Sequence, residues 1–143
     1  MRRVSALRRL TCLAFPLLAA CTGLVAGPEV AAVTPVPASK DSAWVRAKRA
    51  LAAEVFTLDV QDSLGGRLTA MRYPSTTAKA GTPAACRVGL TLAIEGSADQ
   101  TRLASTSRWL GPEISSTTNS QLCEQERQET LDRIVQVVAP PAN

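Results

Sequence analysis

The chain has 143 residues, with 16 Lys and Arg against 12 Asp and Glu and no His, which excludes His-ligated metal, His general bases and Ser-His or Cys-His nucleophilic pairs. Its net charge of +4 resides in Arg2, Arg3, Arg8 and Arg9; beyond residue 20 the chain balances at twelve basic against twelve acidic side chains. A nucleic-acid binder needs a basic face and an interfacial membrane helix needs a basic polar side, and the neutral remainder supports neither.

Residues 1–20 divide into a basic stretch over 1–9 and an apolar run over 10–20 that ends in small residues before a cysteine. That is the anatomy of a secretory signal. Eleven apolar residues rise only about 16 Å as a helix, about half the hydrocarbon thickness, so the run is read as a removable leader and not as a permanent span. The segment Leu18-Ala19-Ala20-Cys21 resembles the bacterial lipoprotein signal, with Leu three residues before the Cys and small residues between. The resemblance implies that the Cys21 thiol takes a diacylglycerol, acyl chains such as palmitate, and becomes the first residue of a membrane-anchored lipoprotein. The alternative is an ordinary signal peptide cut near Ala20. Arg8-Arg9 gives only a weak twin-arginine signal before Leu10-Thr11-Cys12-Leu13, and Cys12 has Arg9 where the pattern has Leu. Thr22 stands where proteobacterial lipoproteins kept in the inner membrane have Asp, so the resemblance implies an outer-membrane protein facing the periplasm.

Residues 21–40 are small, nearly uncharged and interrupted by Pro28, Pro35 and Pro37, and read as a flexible tether carrying the lipidated Cys, with about 60 Å of extended reach. Within it, residues 29–34 are compatible with a short edge strand. Asp41 and Ser42 are N-cap candidates for a helix over 42–53, with Trp44, Ala47, Leu51 and Val55 at spacings of three and four. Phe56, Leu58 and Val60 alternate with polar residues as a strand, Ser63-Leu64-Gly65-Gly66 turns the chain, and 67–73 returns. Residues 74–85 are polar and small and read as a long loop. The cleanest alternation puts Cys86, Val88, Leu90, Leu92 and Ile94 on one face of a third strand. After a turn at 96–100, a fourth strand over 101–109 places Leu103 and Trp109 on one face and stops at Gly111-Pro112. Thr118-x-x-Gln121 resembles a capping box opening a long helix that runs to Val138, ahead of Pro140-Pro141.

This order predicts an α+β fold: a two-layer sandwich with a four-stranded antiparallel sheet flanked by an N-terminal and a longer C-terminal helix, occupying 41–139, with 140–143 as a tail. Cys86 and Cys123 are the cysteines left in an oxidising compartment, and a disulfide between them is expected. Cys123 shares a helical stripe with Leu131, Ile134 and Val138, and Cys86 lies on the apolar strand face, so both thiols point inward. Two free thiols are the competing reading, since two Cys without His cannot complete a zinc site. The element order resembles the helix-grip domains of the outer-membrane assembly lipoprotein BamC over about residues 40–139. That resemblance rests on order and patterning, and this chain has one such unit where that family has two.

No residue pattern points to catalysis. Asp59 and Asp62 bracket a hairpin and read as solvent-facing. Lys40, Lys48 and Lys79 stand in no Ser-x-x-Lys spacing with Ser39, Ser42 or Ser75, and Gly65-Gly66 lacks the rest of a phosphate loop. Glu124, Glu126, Arg127, Glu129, Asp132 and Arg133 read as the solvated face of the last helix. Trp44 and Trp109 read as core, each with an alternative as an interface anchor. The expectation is therefore a non-enzymatic envelope lipoprotein with no cofactor and no metal. It is bound to the membrane through its lipid and engages an envelope protein or the cell wall as an assembly accessory. The alternative is a small-ligand or lipid carrier with a cavity between helix and sheet, which the disulfide disfavours by pinning the helix that must move.

Overall fold

The computed structural model of the chain describes residues 24–73, 86–97, 100–112 and 117–141. In chain order these form β1 (Leu24–Ala26), β2 (Val30–Val36), α1 (Lys40–Ala53), β3 (Thr57–Asp62), β4 (Arg67–Arg72), β5 (Arg87–Ser97), β6 (Gln100–Pro112) and α2 (Thr117–Val138). One antiparallel sheet runs β1-β6-β5-β4-β3, and β2 joins β1 along the same side of β6.

The centre of the sheet is the β5–β6 hairpin, paired from Arg87↔Leu110 to Ser97↔Gln100. Its inward side chains alternate as read from the sequence: Cys86, Val88, Leu90, Leu92 and Ile94 are all buried, as are Leu103 and Trp109 across the pair. Leu68 and Ala70 of β4 extend this face. Both helices cover it. Ala43, Ala47, Ala50 and Leu51 of α1 join Leu131, Ile134 and Val138 of α2 in one aliphatic cluster with the sheet. Three of the four buried α1 residues are alanines, whose methyl groups put little bulk between the helix and the strands. Each fully buried Leu, Ile or Val contributes about 1.5–3 kcal/mol relative to an exposed one.

The sheet has six strands where four were expected, and the helices do not flank it but lie side by side over one face. The two added strands come from the stretch read as a tether. β2 forms seven register pairs with β6 although Pro35 lies within it. An edge strand tolerates Pro because one of its sides needs no ladder donor. Residues 31–33 of β2 are exposed, so its outer side chains produce no apolar alternation to read. Residues 1–20, Cys21, the loop over 74–85 and the turn residues 98–99 lie outside the described residues.

Other boundaries shift for local reasons. Ser39, not Asp41 or Ser42, caps α1: its backbone is extended and its Oγ accepts the Ser42 N–H at 3.3 Å. Asp41 then falls in the first turn, where an acid suits the helix dipole. In β3 a register shift between Leu58 and Val60 leaves Asp59 outside the pairing and turns Val60 outward, 47% exposed, so the expected single core face ends at Leu58. β6 runs three residues past Trp109 and stops at Gly111-Pro112, the added residues being paired with β1 from Leu24↔Pro112 to Ala26↔Leu110. Thr118 lies inside α2 and not at its cap, the helix beginning at Thr117.

The exit from α1 is unusual. Phe56 N–H returns to Leu51 O at 2.9 Å and Val55 N–H to Ala52 O at 3.1 Å, a Schellman-like closure. The residue in the left-handed position is Val55, at φ +59°, where glycine would sit without strain. Its side chain is 78% exposed.

Candidate functional site

The disulfide expected from the sequence is present. Cys86 precedes β5, Cys123 lies in α2, and the bond joins them at a Cα–Cα distance of 5.6 Å. With Trp109 they form a small buried cluster of their own, apart from the aliphatic core. The chain between β1 and β2 bends directly over the indole: Gly27 N–H donates to Trp109 O at 2.9 Å, and a Cβ at Gly27 would overlap the Trp109 ring. Trp109 is therefore an internal residue, 5% exposed. Trp44 is half-buried against the aliphatic core, with Lys48 Nζ 6.0 Å above its ring.

Between the two clusters lies a polar seam that sequence reasoning missed. Arg127, read as part of the solvated face, is 2% exposed. Its Nη1 donates to Ser107 Oγ at 2.8 Å, its Nε to both Glu124 oxygens at 3.1 Å, and its Nη2 to Gln128 Oε1 at 3.0 Å. Ser105, Ser107 and Thr130 are also buried there. The signal was positional: Arg127 lies four residues from both Cys123 and Leu131, on the buried stripe, and Ser105 and Ser107 share the inward face of β6 with Leu103 and Trp109. The Arg127 hydrogen bond holds the Glu124 carboxyl below the usual carboxylate range; partial burial opposes it and the Arg127 charge assists. The Trp109 indole N–H lies close enough to lower the same carboxyl slightly. Yet among the described residues no acceptor meets it at hydrogen-bonding geometry.

A second ionic cluster ties the two helices to β4. Glu54, at the end of α1, accepts from Arg133 Nε at 2.8 Å and Nη2 at 2.9 Å, and Arg72 Nη1 approaches it at 3.5 Å. Arg72 Nη2 donates at 2.6 Å to Glu126. These contacts satisfy charges and bring no nucleophile to a base.

The remaining candidates do not converge. Asp62 caps its own turn by accepting the Gly65 N–H at 2.9 Å, and Asp59 is exposed on β3. Ser39 and Ser42 hydrogen-bond to each other at 3.1 Å, and Lys40 Nζ reaches Leu64 O at 3.5 Å, so no Ser-Lys pair forms there. Lys79 and Ser75 lie outside the described residues. Among the described residues no three His, Cys, Asp or Glu gather as metal ligands, and no helix is long and apolar enough to cross a membrane. Where the end of β2 meets the start of β6 and the end of α2, an open groove of about 610 Å³ is lined by Pro35, Val36, Pro37, Arg102 and Pro140, among others.

No family model and no curated protein matches the chain. Solved structures do. Ara h 8.0201 is similar at a TM-score of 0.54 and 9% identity, over 81% of this chain and 98% of its own. A Thermus thermophilus protein, TTHA0849, follows at TM-score 0.47 and 16% identity, over 78% and 94%, and a protein of Rhizobium leguminosarum at 0.42 and 16%, over 82% and 98%. The likeness to the first is one of fold: the chain is an α+β protein of the helix-grip kind, its long C-terminal helix lying across an antiparallel sheet.

Proposed function

We propose that the chain is a lipid-anchored envelope lipoprotein that acts without catalysis, as a binding or assembly accessory whose partner contacts its outer surface. The observation that carries this reading is the way α2 is held. Ile134 and Val138 are fully buried against Leu92, Ile94 and Leu103, Arg127 is tied to Ser107, and Cys123 is bonded to Cys86. A helix fixed to the sheet by packing, by a buried ion and by a covalent bond is poorly suited to swing open for a ligand. Binding then falls to exposed features such as the proline-lined groove. The sequence Leu18-Ala19-Ala20-Cys21 supports the anchor, and the oxidised Cys86–Cys123 pair suits a compartment outside the cytosol.

The test is the protein purified from its native host. Intact mass should show the chain beginning at Cys21 with added acyl chains, and Cys21→Ala should move the protein from the detergent phase to the aqueous phase. Crosslinking in intact envelopes should then capture a defined protein or cell-wall partner. A stoichiometric lipid retained by the delipidated, folded domain would instead favour the carrier.

A further inference from the structure

The strands formed by residues 24–36 fix how such an anchor would orient the domain. If Cys21 is acylated, as proposed above, only Thr22 and Gly23 separate it from β1. Three residue steps span at most about 10 Å. Residues 24–36 of the expected tether add no spacer length, because β1 and β2 are laid along β6. We propose that the acylated protein rests directly on the phospholipid headgroup layer, its disulfide end down. Val25, Val55, Tyr73, Arg87 and Leu122 would meet the lipid.

The register places these residues at one end. β1 starts opposite Pro112, the end of β6. Arg87 starts β5 opposite Leu110, and Tyr73 follows Arg72, which pairs with Val88. Val55 precedes β3, whose first residue Thr57 pairs with Met71, and Leu122 neighbours the disulfide residue Cys123 in the first half of α2. Exposure is 78% at Val55, 55% at Tyr73, 39% at Leu122 and 36% at Val25. The Arg87 guanidinium lies 5.2 Å over the Tyr73 ring, an amphipathic pair with an apolar body and a cationic tip, suited to headgroup depth. Val55 holds an exposed isopropyl group at a left-handed φ that disfavours β-branched residues, and contact with lipid gives that side chain an apolar neighbour. The opposite end carries Leu64, beside Lys40 at the far end of α1. The fourteen residues of α1 separate the two ends by about 20 Å. The proline-lined groove, beside the Ser97↔Gln100 turn, then faces away from the membrane.

The acylated full chain is reconstituted in vesicles containing phospholipid with a nitroxide on the headgroup. A small fluorophore is attached at Val55→Cys or, separately, at Leu64→Cys; both sites are exposed, and neither touches the disulfide. Quenching at position 55 is expected to exceed that at 64 several-fold. A spacer of about twelve Gly and Ser residues inserted after Thr22, with a root-mean-square reach of about 20 Å, should erase the difference while the acyl mass remains. Equal quenching at the two positions in the acylated chain without the spacer would overturn the orientation and leave the anchor standing. Absence of acyl mass on Cys21 would overturn the anchor, and the orientation with it.

Discussion

The C-terminal half of α2 presents Leu131, Ile134 and Val138 to the sheet, and its N-terminal half presents Cys123 and Arg127. The two halves rest on neighbouring stretches of the same strands. In the first, contact is aliphatic and non-directional, and any close-packed arrangement of the right volume retains most of its free energy. In the second, each group is satisfied only when a specific partner is in place: Cys86 for Cys123, Ser107 and Glu124 for Arg127. The aliphatic half holds the helix on the sheet, and the polar half sets where along the sheet it sits.

Removing the covalent link is the largest perturbation of that division. Cys86→Ser with Cys123→Ser opens a loop with a sequence separation of 37 and should cost about 4 kcal/mol in the chain-entropy treatment. Urea denaturation reads the total. Amide exchange reads its place: protection should fall over the N-terminal half of α2 and persist at Ile134 and Val138. Uniform loss along the helix would remove the distinction between the halves.

Next in size are two truncations of similar cost. Ile134→Ala should destabilise by about 3 kcal/mol through lost burial and the cavity left behind. Arg127→Ala should lose about 3 kcal/mol by leaving Ser107 and the inner side of Glu124 unpaired. What separates them is rescue. Arg127→Met combined with Ser107→Ala and Glu124→Gln removes the cation, its hydroxyl acceptor and its carboxylate partner together and should recover most of the loss, because buried ion pairs are weak net stabilisers. No polar replacement at Ile134 should do so.

The same contrast explains what was legible in the sequence. Cys86 through Ile94 alternates without a break, so the β5 face, the inward thiol and the disulfide followed from period and compartment. Arg127 was hidden by its identity: a charge among Glu124, Glu126 and Glu129 suggests solvent, whereas its spacing from Cys123 and Leu131 says interior. Ser105 and Ser107 conceal the inward face of β6 in the same way. β2 was hidden for the opposite reason, since an edge strand held by its backbone ladder needs no apolar alternation and admits Pro35. Position along an element proved more informative than residue polarity wherever a polar group was paired inside.

The left-handed residue after α1 gives a smaller effect of opposite sign. Val55→Gly removes a conformational penalty of about 1 kcal/mol at an exposed site, partly offset by the greater freedom of the unfolded chain, and should raise the denaturation midpoint slightly. If the proposed headgroup contact holds, the same variant bound to vesicles should lose membrane contact at that end while gaining stability in solution. The two measurements then move in opposite directions.

The smallest effect lies in the ionic cluster joining α1 to the outer side of α2. The Arg133 hydrogen bonds hold the Glu54 carboxyl below its ordinary value of 4.5, against partial burial and with help from the charges of Arg133 and Arg72. A carboxyl lowered in the folded state binds fewer protons there than in the unfolded chain. Its stabilisation is therefore complete above the ordinary carboxylate value and is lost as pH falls through the folded one. Arg133 is 49% exposed, so solvent screening keeps the contribution below about 1 kcal/mol. Glu54→Gln should lower stability by that small amount at neutral pH, and the gap between variant and parent should close as pH drops below 4.5. Denaturant midpoints across this range check it: a gap that stays constant into acid would mean that packing at the end of α1, and not the charge on Glu54, joins the helices there.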